Sequence, residues 1–259
     1  MCAIIGYLSL NNIDKFKEGF EKITSRGPDM ERIEEFDNAR LGFKRLAIMG
    51  ITEAGMQPFK YKNYNIVCNG EIYGFRTIKK DLENKGYKFK SDSDCEILLP
   101  LYELYGDKMF NMLDAEYALI IYDENKKDFI AARDPIGIRP LDYGYDEDNK
   151  IIFSSEPKCI INIVKKVFPF PPGHYYKDGK FVCYNDITKV DKYVDGSLDE
   201  ITKNIHDKLI EGVNKRLDSD VKVGFLLSGG LDSSLVCAIA SKKLNKKISP
   251  HLIWGGEFI

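Results

Sequence analysis

An α+β domain followed by the opening of a doubly wound α/β domain is the fold class this sequence predicts, on three observations. Hairpin signals crowd the first 190 residues, as in YALIIYD and DFIAARD around the polar Glu124-Asn125-Lys126-Lys127, and in HYYKDGKFVCY, which turns at Asp178-Gly179. Helical spacing appears there only in short stretches between strand-like runs. From about residue 198 the pattern changes to a helix, a continuous apolar run, a small polar loop and a second helix.

Taken in order, CAIIGYLSL reads as a strand, and Phe16, Phe20 and Ile23 recur at helical spacing before Gly27-Pro28 stops the segment. ARLGFKRLAIM is strand-like, and so is YNIVCNGEIYG, whose Asn69-Gly70 breaks the run at a turn. Two helices follow near 76–85 and 94–113, the second carrying Ile97, Leu98, Leu101, Tyr102 and Leu104. After the two hairpins, residues 184–197 are polar and irregular, and a helix spans about 198–217. VKVGFLL then reads as a buried strand, SGGLDSS as a loop, LVCAIASKKL as a helix and ISPHLIW as a second strand. The expected domains are 1–190 and 198–259, with no internal repeat.

The 259 residues exceed one average domain, and 44% hydrophobic content permits a substantial core. Basic and acidic residues nearly cancel, 38 against 40, for a net charge of −2, so electrostatics gives no reason to expect nucleic acid or an anionic membrane as partner. The six cysteines show no CxxC and no zinc-ligand spacing, which points to a reduced, cytoplasmic protein without a metal site. The opening MCAIIGYLSLNN lacks a basic leader region and a cleavage site, and no stretch approaches the ~20 apolar residues of a membrane helix. The first residues are therefore expected to be mature structure.

Two places carry chemistry. Cys2 stands directly behind Met1, and a side chain this small lets the initiator methionine be removed. The processed chain then begins with a thiol beside a free α-amine, whose ordinary pKa of about 7.7–8 leaves a useful fraction unprotonated at neutral pH. Nucleophile and base become one residue. The second place is the run Ser228-Gly229-Gly230-Leu231-Asp232-Ser233-Ser234, which follows an apolar run and opens a helix. Two glycines let the backbone approach a ligand closely, and hydroxyls with backbone N–H groups at a helix start make an anion site. It is not a Walker A loop, since the Gly-Lys-Ser/Thr ending is missing. His174, His206 and His251 are scattered, and none sits in a motif that makes it a general base.

The first domain resembles the class II glutamine amidotransferases. The resemblance rests on Cys2, on Arg26-Gly27-Pro28-Asp29, on Arg45-Leu46-Ala47-Ile48, on Asn69-Gly70-Glu71-Ile72-Tyr73, on Ser93-Asp94-Cys95-Glu96 and on Arg133-Asp134-Pro135-Ile136-Gly137-Ile138-Arg139-Pro140. SGGLDSS looks like the pyrophosphate loop of ATP pyrophosphatases, so the whole chain resembles the N-terminal part of the glutamine-hydrolysing asparagine synthetases. The resemblance implies an N-terminal-nucleophile fold of two antiparallel sheets between helices, an α-β-β-α glutaminase domain, followed by an incomplete α/β nucleotide-binding domain. It implies Cys2 as nucleophile with Asn69 and Gly70 as oxyanion donors. It also implies a glutamine pocket of Arg45, Leu46, Ala47, Ile48, Met49, Asn69, Gly70, Glu71 and Asp94. Free glutamine carries an α-carboxylate, which Arg45 can grip bidentately, and an α-ammonium suited to Asp94 and the Glu71 region. Leu227, Ser228, Gly229, Gly230, Asp232 and Ser233 are implied as the ATP site. The implied partners are small molecules: glutamine, aspartate, and ATP with Mg²⁺ as a substrate complex. The glutaminase step is expected to need no cofactor, and a homodimer is left open.

Several positions depart from the family pattern. Ser25 and Phe43 stand where histidine is common, Gly74 where asparagine usually follows the tyrosine, and Asp142 where an aromatic is frequent. ISPHLIWGGEFI looks unlike the family, and a synthetase domain should run ~200–300 residues further. Uncovered apolar faces beyond about residue 220 are expected to be poorly ordered or prone to association. Three rivals stay open: another class II amidotransferase, a β-lactam-forming relative, which Cys2 disfavours, and a catalytically dead pseudo-synthetase kept for association.

Overall fold

The structure is a computed structural model that describes residues 1–190 and 192–244. The chain divides into two compact units, Met1–Lys189 and Val190–Ile259. The first unit contains twelve strands: β1 (Ala3–Tyr7), β2 (Met30–Glu35), β3 (Arg40–Arg45), β4 (Phe59–Tyr61), β5 (Tyr64–Ile72), β6 (Ala115–Asp123), β7 (Asp128–Arg133), β8 (Asp142–Tyr145), β9 (Ile151–Ser154), β10 (Val167–Pro169), β11 (His174–Lys177) and β12 (Lys180–Cys183). Its helices are α1 (Ile13–Glu21), α2 (Phe75–Asn84) and α3 (Leu98–Tyr105). The strands form two antiparallel six-stranded sheets, ordered β10-β8-β9-β1-β3-β2 and β12-β11-β7-β6-β5-β4.

Side-chain alternation shows how these sheets stack. Along β6, Ala118, Ile120 and Tyr122 enter a core shared with Ile4, Leu41, Phe43 and Phe153 of the other sheet. Tyr117, Leu119 and Ile121 point the opposite way, into a core with Phe75, Leu82 of α2 and Leu98, Leu101 of α3. The other outer face packs Ile5 and Tyr7 against Phe16 and Phe20 of α1. The layers therefore run α-β-β-α, as expected, with both faces of the central strands dry. Burying one such Ile or Phe stabilises the fold by about 1.5–3 kcal/mol.

Local chemistry explains several boundaries. Asp178 and Gly179 both take positive φ, 48° and 75°, which is the backbone a tight two-residue hairpin needs between β11 and β12. The predicted 94–113 helix is divided: a 3-10 turn over Asp94–Ile97 leads into α3, Gly106 ends it at φ 55°, and a second 3-10 segment covers Gly106–Asn111. Strand β3 stops at Arg45, so 46–49 are not strand.

One expectation is overturned at the site itself. Asn69-Gly70 is no turn but lies inside β5, opposite Ala118 and Tyr117 of β6. The long β6 partner runs past this dipeptide and supplies its ladder, which outweighs the local turn preference of Asn-Gly.

In the second unit α4 (Leu198–Lys215) begins with a capping box, in which the Glu200 N–H donates to Ser197 Oγ and the Ser197 N–H donates back to the Glu200 carboxylate. Helix α5 (Leu231–Leu244) follows. The expected strand over VKVGFLL does not form, since only Leu227 makes an isolated bridge among residues 221–227. A buried parallel strand needs hydrogen-bonded neighbours on its flanks. Leu226 and Leu231 stay 77% and 81% exposed. The expected strand ISPHLIW, with His251, lies outside the described residues.

Candidate active site

The site assembles at the open end of β1. Cys2 precedes that strand, is half-buried, and packs on the core between the sheets. Its Sγ accepts a hydrogen bond from the Leu46 N–H at 3.4 Å and faces the Leu46 carbonyl at 3.5 Å. Burial pushes the thiol pKa up, and the Leu46 N–H, the amine at the chain start and Arg45 only partly offset it. The sulfur therefore rests as a thiol and needs a base. At the chain start, burial lowers the amine's pKa first, and the positive charges of Arg26 and Arg139 lower it further. This is the amine of Met1, and the lowered pKa leaves more of it unprotonated at neutral pH.

Strand β5 brings the next group. Val67 lies on its inward face, so period-two alternation puts Asn69 on the same face, toward the layer that holds Cys2. Asn69 is 2% exposed, and its Nδ2 is buried without any hydrogen-bond partner. Such an orphaned donor costs about 1–3 kcal/mol in the resting fold. The Gln57 side chain braces the strand one residue earlier, donating to the Cys68 carbonyl at 3.1 Å and accepting from the Cys68 N–H at 2.6 Å. At Gly70 an added Cβ would meet the Glu116 carbonyl at 2.9 Å and Cys68 Sγ at 3.0 Å, so this position has no room for a side chain.

Asp94 is 4% exposed and accepts from the Ile72 N–H at 2.8 Å, which ties the 3-10 turn to the end of β5. Burial pushes its carboxyl pKa up, against the backbone N–H groups that favour the charge. Glu71 is half-buried on the same inward alternation as Asn69.

Arg45 turns its guanidinium toward the loop that follows β3. Its Nη1 donates to the Thr52 carbonyl at 2.7 Å, while Nη2 donates to Met49 O at 3.3 Å and also to Gly50 O. Arg45 is 3% exposed, and its guanidinium braces its own 49–52 loop through Nη1 and Nη2. A buried guanidinium must satisfy its donors, and the loop that curls back after β3 offers three carbonyls. Gly55 makes the seat possible, because a Cβ there would come within 2.4 Å of Arg45 Nη2. Of the neighbouring residues, Ala47 donates its N–H to Asp29 at 2.8 Å, Met49 Sδ accepts from Arg76 at 3.6 Å, and Ile48 is half-buried.

Arg133 ends β7, and residues 134–140 form a loop pinned by Asp134. Asp134, fully buried, accepts from the N–H groups of Ile136, Gly137 and Ile138 on one oxygen and of Arg139 and Tyr117 on the other. Arg139 is thereby held 3.6 Å from Glu116, with its Nε buried and unpartnered. Arg26 was visible in its motif but had no assigned role. Its Nε donates to the Cys2 carbonyl at 3.2 Å and its Nη1 to Glu156 at 3.0 Å.

The remaining predicted residues lie in the second unit. The loop after Leu227 folds on itself: Ser228 Oγ and Ser233 Oγ are 3.0 Å apart, and Ser233 Oγ donates to the Gly230 carbonyl at 3.1 Å. Gly229 takes φ 83°, and Asp232 is exposed in the first turn of α5. No helix among the described residues is long and apolar enough to cross a membrane.

Two facing antiparallel sheets between helices, with a cysteine at residue 2 opening a central strand, define an N-terminal-nucleophile amidotransferase fold. Residues 1–177 match the glutamine amidotransferase domain family, and the chain belongs to it. Residues 204–251 match the family described as asparagine synthase. A probable glutamine-hydrolysing asparagine synthetase of Dictyostelium discoideum is 39% identical over 97% of this chain and 47% of its own length. Asparagine synthetase B of Escherichia coli is 33% identical over 96% of this chain and 46% of its own. The chain thus spans about half the length of the curated relatives it matches. Among solved structures, the Bacillus subtilis glutamine phosphoribosylpyrophosphate amidotransferase superposes with a TM-score of 0.61 at 19% identity, covering 99% of this chain and 69% of that one. At that identity the likeness speaks for the fold.

Proposed function

We propose that this chain hydrolyses free glutamine to glutamate and ammonia at Cys2, as the glutaminase part of an asparagine-forming system. The observation that carries the reading is the buried, unpartnered Nδ2 of Asn69 on the face that looks toward Cys2. A donor left without a partner at that cost is suited to an oxygen that becomes charged only during reaction.

Removal of Met1 exposes the α-amine of Cys2. That amine takes the thiol proton as Sγ attacks the side-chain amide carbon of glutamine, giving a tetrahedral oxyanion held by Asn69 Nδ2 and the Gly70 N–H. Collapse returns the proton to the leaving nitrogen, releases ammonia and leaves a thioester. Water, activated by the same amine, then frees glutamate and the thiol. Asp94 and Glu71 meet the substrate ammonium. Arg45 contributes a fixed positive charge and the shape of the 46–49 loop toward the carboxylate.

Ammonia would serve a synthetase reaction with aspartate and ATP–Mg²⁺ as substrates, yielding asparagine, AMP and pyrophosphate. In that scheme Leu227, Ser228, Gly229, Gly230, Asp232 and Ser233 hold the phosphates. The glutaminase half is tested by incubating methionine-cleaved protein with glutamine. Glutamate must appear, Cys2→Ala must abolish it while folding persists, and a diazo-ketone glutamine analogue must label Cys2. A folded, processed sample that neither forms glutamate nor takes the label refutes the reading and favours the non-enzyme.

A further inference from the structure

Strand β1 loses its partner on one side just before the nucleophile. Its pairing with β9 covers Ile5, Gly6 and Tyr7, and Ser155 extends it to Ile4 through a backbone bond and a side-chain bond, each 2.9 Å. Beyond Ile4 that flank has no strand. On the other flank β3 reaches only Ala3, opposite Lys44. The carbonyl of Cys2 is instead taken by Arg26 Nε at 3.2 Å. Once Met1 is gone, residue 2 is joined to the fold through one planar peptide bond, and this contact fixes the orientation of that plane, from which the Cα bearing the thiol and amine projects.

Arg26 is a long side chain and does not hold such a position by itself. Its Nη1 donates to Glu156 Oε1 at 3.0 Å, and its Nη2 is buried without a partner. The second oxygen of Glu156 pairs with Lys158 at 2.6 Å, and Ser154 Oγ donates to the Glu156 carbonyl at 2.7 Å. The carboxylate is thus anchored from the same segment that ends β9. Arg26's own backbone is equally constrained. A Cβ at the adjacent Gly27 would fall 2.3 Å from the backbone of Lys44.

Resting on the glutaminase reading, we propose that Glu156 is a positioning residue: through Arg26 it fixes the carbonyl of Cys2, and so aims the thiol and α-amine at the substrate. Glu156 touches no reacting atom. Burial would raise its carboxyl pKa, but the hydrogen bonds from Lys158 and Arg26 outweigh this and hold it below its ordinary value, so it stays an acceptor throughout the working pH range. Removing it leaves both terminal nitrogens of Arg26 unpaired in a buried place, and the side chain must swing to find carbonyls or water.

The test is the kinetics of glutamate formation by processed full-length protein carrying Glu156→Ala or Glu156→Gln, each also combined with Arg26→Ala. For Glu156→Ala, kcat should fall about tenfold to a hundredfold with KM for glutamine little changed, the cost of an ångström-scale misplacement of the nucleophile. Glu156→Gln keeps an acceptor oxygen and should recover most of the loss. In the Arg26→Ala background Glu156→Ala should cost nothing more, because its route of action is already cut. Alkylation of Cys2 by a small neutral reagent should stay at the parental rate, since exposure of the sulfur is unchanged. An active parent with unaffected Glu156→Ala kcat, or losses that add in the double variant, overturns the proposal. A parent that forms no glutamate refutes the glutaminase reading itself, and this proposal falls with it.

Discussion

Replacing Asn69 with alanine separates a catalytic donor from a structural one. In the resting fold Asn69 is 2% exposed, and its Nδ2 is buried with no partner. The amide therefore adds a desolvation cost of about 1–3 kcal/mol that no bond repays. Alanine removes that cost and leaves a small cavity whose penalty is of similar size and opposite sign. Stability should then stay within about 1 kcal/mol of the parent, a Tm change of roughly 2–4 °C for a unit of this size. Catalysis should respond very differently. Loss of one oxyanion donor costs about 2.7–4 kcal/mol of barrier, or roughly 10²–10³ in kcat, with KM for glutamine little moved because the donor acts on a charge absent from the bound substrate. The assay is steady-state glutamate formation by methionine-cleaved protein, with Tm measured on the same samples. A kcat within about threefold of the parent would refute the oxyanion assignment. A Tm loss of about 8 °C or more would show that Asn69 is a structural residue instead.

Cys2→Ala should abolish glutamate formation and analogue labelling while circular dichroism and Tm stay parental, since the side chain is only half-buried. Gly55→Ala should destabilise the protein by about 1–3 kcal/mol and raise KM for glutamine, because a Cβ would fall 2.4 Å from both Arg45 Nη2 and the Gly50 carbonyl; an unchanged Tm and KM would contradict the loop-bracing seat. Asp94→Asn carries a pH signature. Burial raises the folded pKa of Asp94 above its ordinary 3.8, so its contribution to stability is present below that value and lost as pH rises through the folded pKa. The amide keeps an acceptor for the Ile72 N–H without the buried charge. The variant should therefore unfold at higher denaturant than the parent at pH 7, match or trail it near pH 3, and bind glutamine more weakly; a parent that is the more stable of the two at pH 7 would show the carboxylate to be well paired.

Much of the first unit could be read directly from the chain. Phe16 and Phe20 at helical spacing gave α1, the polar tetrapeptide from Glu124 gave the β6–β7 turn, and Asp178-Gly179 gave the last hairpin. The short strands β2, β4 and β8–β10 were missed, since runs such as DYGY carry little apolar alternation and are held as strands by their neighbours. The residues proposed for the glutamine pocket were named through spaced motifs, yet two of their settings were not legible there. Asn69-Gly70 has the composition of a turn and the structure of a strand interior. Arg45 has the chemistry of a clamp and spends its fork on its own loop.

What the sequence determined unaided was therefore short-range: side-chain period, turn residues, and a thiol placed beside the first amine of the processed chain. These depend on dihedral preference and on residues within a turn of one another. The tertiary structure alone decided which partner satisfies each buried polar group. Arg26 reaches Glu156 across 130 positions of chain and Cys2 across 24, and no local preference encodes a bond whose two halves meet only after both sheets have stacked.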